Sequence, residues 1–321
     1  MTVVAVTGAS GFVGSALTAA LQERGNVVVP VYRSRPPSSL SSAGVSIGDI
    51  DGETSWRPLF DATPVDVVVH CAALTHVPRT SSLQALSQLQ SVNVKGTLNL
   101  AQQAIGAGVR RFVHISSIKV NGEGTNVGIP YVASDVPRPE DPYGATKLAA
   151  EEGLRDLAAV APLELVIVRP VLIYGPRVKG SFRTLMVWMQ RGVPLPLGRI
   201  DNRRSLVSLG NLVDCIATCI EHPAAGGETF LVSDGEDLST PDLLRRISRA
   251  LNVRARLLPA PVALLRLAGR LSGRQRIVRR LCCSLQVDIR HTCGALGWTP
   301  PETVDKGIEA AVASFLDDTR S

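Results

Sequence analysis

Gly8, Gly11 and Gly14, spaced three residues apart, stand between a short apolar run and a helix-patterned segment. That context is what gives a glycine pattern meaning, and it leaves few folds open. The run before them, Val3–Thr7, is rich in β-branched residues and reads as a buried parallel strand. After them, Ala16, Leu17, Ala20 and Leu21 recur at helical spacing over residues 15–24, and Gly25 closes the segment. Glycines at such a junction permit a tight turn, close backbone approach to a pyrophosphate, and close packing of helix on strand. The helix start adds unpaired N–H groups and a dipole that favours phosphate. The loop Gly8-Ala9-Ser10-Gly11-Phe12-Val13-Gly14 therefore reads as a dinucleotide cradle.

The pattern repeats along the chain. Val27–Tyr32, residues 65–70, Arg111–Ile115 and residues 163–168 read as further buried strands. Residues 83–107, stopped by Gly108, and residues 143–159 read as helices between them. Strands alternating with helices predict an α/β fold, a doubly wound parallel sheet of Rossmann type. From about Val171 the alternation loosens and short helices (residues 211–221 and 240–251) interrupt short strands. The expectation is a dinucleotide-binding domain over 1–170, then a smaller mixed α/β substrate domain over 171–321, with some segments returning to the sheet.

Bulk properties narrow the class. Hydrophobic residues are 45% and charged residues 19% of 321, as in ordinary globular proteins. No apolar stretch approaches the roughly 20 residues of a membrane span. The chain opens directly on its first strand with no basic leader, so the expected location is the cytoplasm. The six cysteines lack zinc-type spacing and read as reduced packing groups, and no metal is expected. The charge of +6 reads as a modest excess suited to small anionic substrates. Aromatic content of 4% without basic-aromatic interleaving argues against nucleic acid.

Tyr143 and Lys147 lie four apart at the start of a helical segment, which puts them on one face with β-carbons about 5–6 Å apart. A nearby ammonium favours the phenolate, so such a pair suits proton transfer near neutral pH. Lysine also suits a hydrogen bond to a nicotinamide ribose. At the end of the second strand, an NAD site places a carboxylate about 20 residues past the glycines to accept from the ribose hydroxyl. This chain has Arg33 and Arg35 there instead, which suits the 2′-phosphate of NADP(H), with NAD(H) the alternative.

The Gly-x-x-Gly-x-x-Gly spacing and the Tyr-x-x-x-Lys pair about 130 residues later resemble the extended short-chain dehydrogenase/reductase superfamily, which holds nucleotide-sugar epimerases, dehydratases and reductases. The resemblance implies further roles. Asp49 and Ile50, after Gly48, match the segment that contacts adenine. Ala72 and Ala73 match the small residues beside the diphosphate and ribose. Pro170 falls in the cofactor shell, and the Asn93 segment matches a helix motif whose Asn is structural. Ser116-Ser117-Ile118-Lys119-Val120-Asn121-Gly122 matches the catalytic strand end. Ser117 then holds the catalytic hydroxyl position, with Ser116 the adjacent candidate. The family's dehydratases carry an Asp-Glu pair where this chain has Ile118-Lys119, which largely excludes dehydration.

In the second half, Asn202-Arg203-Arg204-Ser205-Leu206-Val207 aligns Arg204 with an arginine that grips the substrate diphosphate, whereas Leu172 replaces a frequent Asn. Residues 264–281 alternate leucines with arginines as an amphipathic helix. It reads as a solvated helix, as the source of a second diphosphate clamp (Arg279 or Arg280), or as a weak membrane-surface contact. The segment Leu296-Gly297-Trp298-Thr299-Pro300 resembles the family's stretch before its final helix.

The whole pattern most resembles 4-reductases of UDP-4-keto-6-deoxy-N-acetylhexosamines in bacterial surface-polysaccharide (lipopolysaccharide) synthesis, proteins close to the UDP-glucose 4-epimerases. The leading expectation is reduction of a C4 ketone on a UDP-sugar, with 4-epimerisation as the alternative. A non-catalytic dinucleotide-binding module is a third reading, disfavoured by the intact Ser117, Tyr143 and Lys147. A homodimer built through two helices is a family implication only.

Overall fold

The computed structural model describes residues 2–34, 44–75 and 82–320. The first strand, β1 (Val3–Thr7), leads through the glycine loop into α1 (Phe12–Glu23), followed by β2 (Val27–Tyr32), β3 (Val45–Ser46), the short α2 (Arg57–Phe60) and β4 (Val67–His70). The expected helix over 83–107 is three pieces: α3 (Ser82–Gln90), a π-helical turn over Ser91–Gly96, and α4 (Thr97–Gly106). The π turn holds Asn93 and Gly96 buried, and a Cβ on Gly96 would lie 2.6 Å from Ile50 Cγ2.

Next come β5 (Arg111–Ile115), a 3₁₀ turn at Ile118–Val120, α5 (Pro142–Ala159), β6 (Glu164–Pro170) and β7 (Leu172–Tyr174). The remainder is α6 (Gly180–Gln190), β8 (Arg204–Ser208), α7 (Leu209–Glu221), β9 (Thr229–Val232), β10 (Asp237–Leu238), α8 (Thr240–Ala250), α9 (Val262–Leu271), α10 (Gln275–Cys282), α11 (Arg290–Leu296) and α12 (Val304–Arg320). The arginine-rich stretch read as one helix is two, α9 and α10, separated by the turn at Gly273 (φ +67°).

The large sheet runs β3-β2-β1-β4-β5-β6-β9, all parallel. It is the doubly wound Rossmann-type sheet expected, with β9 from the second half as its last strand. Alternate residues of each strand feed opposite faces, as a parallel sheet covered on both sides requires. Val4 and Val6 pack with Leu17 and Leu21 of α1 and with Leu212 and Ile216 of α7. Ala5 and Val68 pack on the other side, with Leu100 and Ala104 of α4 and Leu154 of α5. A small mixed sheet, β10-β8-β7, carries a separate core in which Tyr174, Phe182, Leu206 and Ile247 meet α12 through Ile308 and Phe315.

Candidate active site

Strand order reverses at β1, with β2 to one side and β4 to the other, so the crevice between the loops after β1 and β4 is the natural ligand site of such a sheet. The three glycines meet different demands there. Gly8 has φ +66°, and a Cβ on it would lie 2.9 Å from the backbone nitrogen of Ala72. A Cβ on Gly14 would lie 2.2 Å from the carbonyl oxygen of Gly8, so the helix start can seat on the loop only without a side chain. Gly11 caps α1 with no side-chain hydrogen bond, and no acidic residue stands in the first turn. A helix end stripped of side chain and negative charge fits a diphosphate. Ser10 and Gly11 are exposed at its rim, whereas Phe12 is half-buried and packs on both the large-sheet core and the small-sheet core.

Beneath this loop runs a chain of hydrogen bonds. The Ala72 N–H donates to Thr7 Oγ1 (3.3 Å), and Thr7 Oγ1 lies 2.8 Å from His70 Nδ1. His70 Nε2 lies 3.1 Å from Thr97 Oγ1, which donates to the Asn93 carbonyl (2.8 Å). Since Thr97 spends its proton on Asn93, the network assigns the imidazole proton to Nε2, and Thr7 donates to Nδ1. Asn93 accepts from the Leu74 N–H (2.8 Å) and donates to Thr146 Oγ1 (3.2 Å), which ties the loop after β4 to the helix carrying Tyr143 and Lys147.

That helix, α5, begins with Asp141 as N-cap, accepting from the Gly144 N–H at 2.7 Å, and with Pro142 in its first turn. Tyr143, Lys147 and Glu151 follow at four-residue steps on one face. Lys147 is fully buried and its pKa is lowered to about 8, chiefly by burial, against the opposing charge of Glu151. It still carries its proton at pH 7. Tyr143 departs from expectation: burial first, and the Asp141 carboxylate second, push its hydroxyl up to about 12, so in this state it is a phenol and not a phenolate.

The two serines separate cleanly. Ser116 is buried and donates to Glu151 Oε1 at 2.5 Å, which removes it as a candidate for reaction chemistry. Glu151 is held there by Arg169, whose Nε and Nη2 pair with its two oxygens at 2.9 and 2.5 Å, while Arg169 Nη1 donates to Asn121 Oδ1 at 3.0 Å. Ser117 is half-buried at the carboxyl end of β5, and its hydroxyl accepts from the Lys119 N–H at 3.3 Å as cap of the 3₁₀ turn. Lys119 projects towards Tyr143: its Nζ is 5.8 Å from the ring centroid, pairs with Asp141, and lies 3.2 Å from Glu123. Burial opposes ionisation of Asp141, yet Lys119 and the Gly144 N–H hold its carboxyl below the ordinary range. Glu151, Arg169 and Asp141 were not legible as site residues. The i, i+8 spacing marks Glu151 as sharing the face of Tyr143, but Arg169 comes from another strand.

The other expected positions are more dispersed. Arg33, expected to wait for a 2′-phosphate, forms an exposed ion pair with Asp49 at 2.5 Å, so a carboxylate does stand at this corner, supplied by the loop after β3. Ile50 packs against Gly96 of the π turn, Ala73 is half-buried, and Pro170 is buried at the end of β6. Arg35 lies outside the described residues. Arg204 opens β8 and donates to the Cys283 carbonyl at 2.9 Å. Burial first, and the charge of Arg280 also, lower its pKa, so the two guanidiniums expected to clamp a diphosphate are electrostatic neighbours. Arg280 is exposed on α10, and its neighbour Arg279 pairs with Glu140 at 2.5 Å. No group of His, Cys, Asp or Glu among the described residues forms a metal site.

The sequence pattern described as the NAD dependent epimerase/dehydratase family matches residues 4–233. The UDP-glucose 4-epimerase of Vibrio cholerae is 45% identical over 315 residues, covering 98% of this chain and 95% of that protein. Among solved structures, the UDP-glucose 4-epimerase of Thermotoga maritima with UDP-glucose superposes with a TM-score of 0.80 at 22% identity, covering 99% of this chain and 100% of the other. MoeE5 in complex with UDP-glucose and NAD gives 0.76 at 26% identity, covering 99% of each chain.

Proposed function

The chain belongs to the NAD dependent epimerase/dehydratase family, and from that premise we propose that it is a UDP-sugar 4-epimerase working through Ser117, Tyr143 and Lys147. The observations that support the reading are Ser117 at the carboxyl end of β5, Tyr143 and Lys147 four residues apart on α5, and the Asn93–Thr146 tie of α5 to the loop after β4, with Ile118-Lys119 in place of an acid-base pair for water elimination. The 45% identity to a UDP-glucose 4-epimerase supports epimerisation over the reduction favoured by sequence reasoning.

NAD(P), when bound, supplies or accepts the hydride at C4 of the sugar. The residues that fit its diphosphate are Gly8, Ser10, Gly11 and the α1 start at Phe12-Val13-Gly14. Arg33, Asp49 and Ile50 would hold its adenosine side, and Ala72, Ala73 and Pro170 the nicotinamide side. Tyr143 exchanges the O4 proton, Ser117 orients the same oxygen, and Lys147 keeps a positive charge beside them that eases loss of the phenolic proton. Arg204 and Arg280 hold the substrate diphosphate as two guanidinium forks.

Reduction of a 4-keto UDP-sugar is the second reading, favoured by Arg33 at the end of β2, where NADP(H) would find a partner. One experiment separates the two. Protein purified without added nucleotide, then denatured, should release close to one NAD per chain and interconvert UDP-glucose with UDP-galactose, or their N-acetyl forms. Absence of bound NAD, together with NADPH consumption only on a 4-keto sugar, would replace epimerase by reductase.

A further inference from the structure

The positive charge read above as a general excess is in fact local. From Leu243 to Val287 stand eleven arginines and no Asp, Glu or Lys, while the rest of the chain carries 23 basic residues against 28 acidic. Six of the eleven, Arg266, Arg270, Arg274, Arg276, Arg279 and Arg280, lie on the α9–α10 hairpin and its turn. Among the described residues, Arg279 is the one of these six that forms an ion pair.

The hairpin closes through Gly269, where a Cβ would meet Val278 Cγ2 at 2.6 Å. Val262, Leu265 and Leu281 turn inward and pack on the small-sheet core. A second apolar stripe on α9 turns outward: Leu264, Leu267 and Leu271, at i, i+3 and i+7, are 59%, 52% and 83% exposed, with Ile277 of α10 at 51%. The leucines that a solvated helix would bury are thus the ones left out. An apolar stripe of this kind, on a hairpin that carries arginines and no carboxylate of its own, matches an interfacial helix whose leucines enter the acyl boundary while guanidiniums meet lipid phosphates. No helix among the described residues is long and apolar enough to cross a membrane, so the contact is one of lying on the surface.

We propose that the α9–α10 hairpin docks the enzyme on an anionic phospholipid bilayer, with Leu264, Leu267, Leu271 and Ile277 inserted and Arg266, Arg270, Arg274 and Arg276 at the headgroups. The inference goes beyond the reaction assigned above and does not depend on it.

Sedimentation of the full chain with vesicles tests it. The protein should pellet with vesicles of equal phosphatidylcholine and phosphatidylglycerol at low ionic strength and stay in solution with phosphatidylcholine alone. The variant Leu264→Ser/Leu267→Ser/Leu271→Ser should melt like the parent, because these side chains are exposed, yet lose the pelleting. Arg270→Gln and Arg274→Gln should each weaken partition by about fivefold. The proposal is overturned if the parent fails to pellet with the anionic vesicles, pellets equally with both compositions, or is matched by the triple-serine variant. It is likewise overturned if the parent ignores vesicles but self-associates in a manner that variant abolishes, since a second copy would then cover the face.

Discussion

The ammonium of Lys119 stands 5.8 Å from the centroid of the Tyr143 ring while paired with Asp141, the cap of the helix on which Tyr143 rides. One cation thus faces the π-system of the proposed proton carrier and neutralises the carboxylate that otherwise tightens its proton.

Replacing Lys119 by Met leaves Asp141 uncompensated beside the phenol. The acid limb of the kcat/KM–pH profile should move upward by about one unit, with kcat/KM at pH 7 falling about tenfold, because one unit is 1.36 kcal/mol between protonation states. Lys119→Arg should restore the profile. An unshifted limb in Lys119→Met would show that the cation only anchors the loop.

Tyr143→Phe should lower kcat by about 10²- to 10⁴-fold, the usual worth of a positioned acid-base, while leaving the melting curve and NAD content in place. Ser117→Ala should fall in the same direction, whereas Ser116→Ala should act on stability, since its hydroxyl serves Glu151. Steady-state kinetics beside thermal melts distinguish these outcomes.

Glu151 and Arg169 form a fork-to-fork pair sealed from solvent. Removing one partner by Glu151→Ala strands a buried guanidinium and should cost about 3–5 kcal/mol in urea unfolding. The paired change Glu151→Leu/Arg169→Met should recover much of that loss.

Two buried imidazoles make the fold acid-sensitive. Burial first, and the charge of Lys147 second, lower His70 to about 3 and hold His114 well below its ordinary range. Both stay neutral when folded and bind protons near pH 6.5 when unfolded, so stability is complete above pH 6.5 and declines as pH falls below it. Each contributes a slope of up to about 1.4 kcal/mol per pH unit. His114 stacks on His70 at 5.8 Å, and neither of its nitrogens has a hydrogen-bond partner. His114→Leu should therefore flatten the acid limb and add about 1 kcal/mol at pH 7. Urea midpoints for both proteins across pH 5–8 check this, and parallel curves would contradict it.

Gly14→Ala forces a methyl to within 2.2 Å of a backbone oxygen, which must displace the loop from α1. NAD retained through purification should fall to a small fraction of a mole per mole, while far-UV dichroism changes little.

Much of this molecule is legible in its residues taken in order. Strand β2 falls at Val27–Tyr32, where its apolar run lies, and α5 begins within one residue of Tyr143. The glycine loop sits at the reversal of strand order that its spacing implies. These are local properties: side-chain period, turn chemistry and capping act over a few residues, so the chain states them directly.

The tertiary structure alone decided the rest. That Ser116 serves Glu151, that Lys119 faces Tyr143, and that Asp49 meets Arg33 each depend on partners brought together across loops and strands. The same holds for α9, whose periodicity offers two apolar edges. Packing of Gly269 against Val278 chose which edge the protein buries, and so left the leucines outside. Periodicity states that a face exists. What occupies that face is settled by competition for burial and charge among segments distant in sequence.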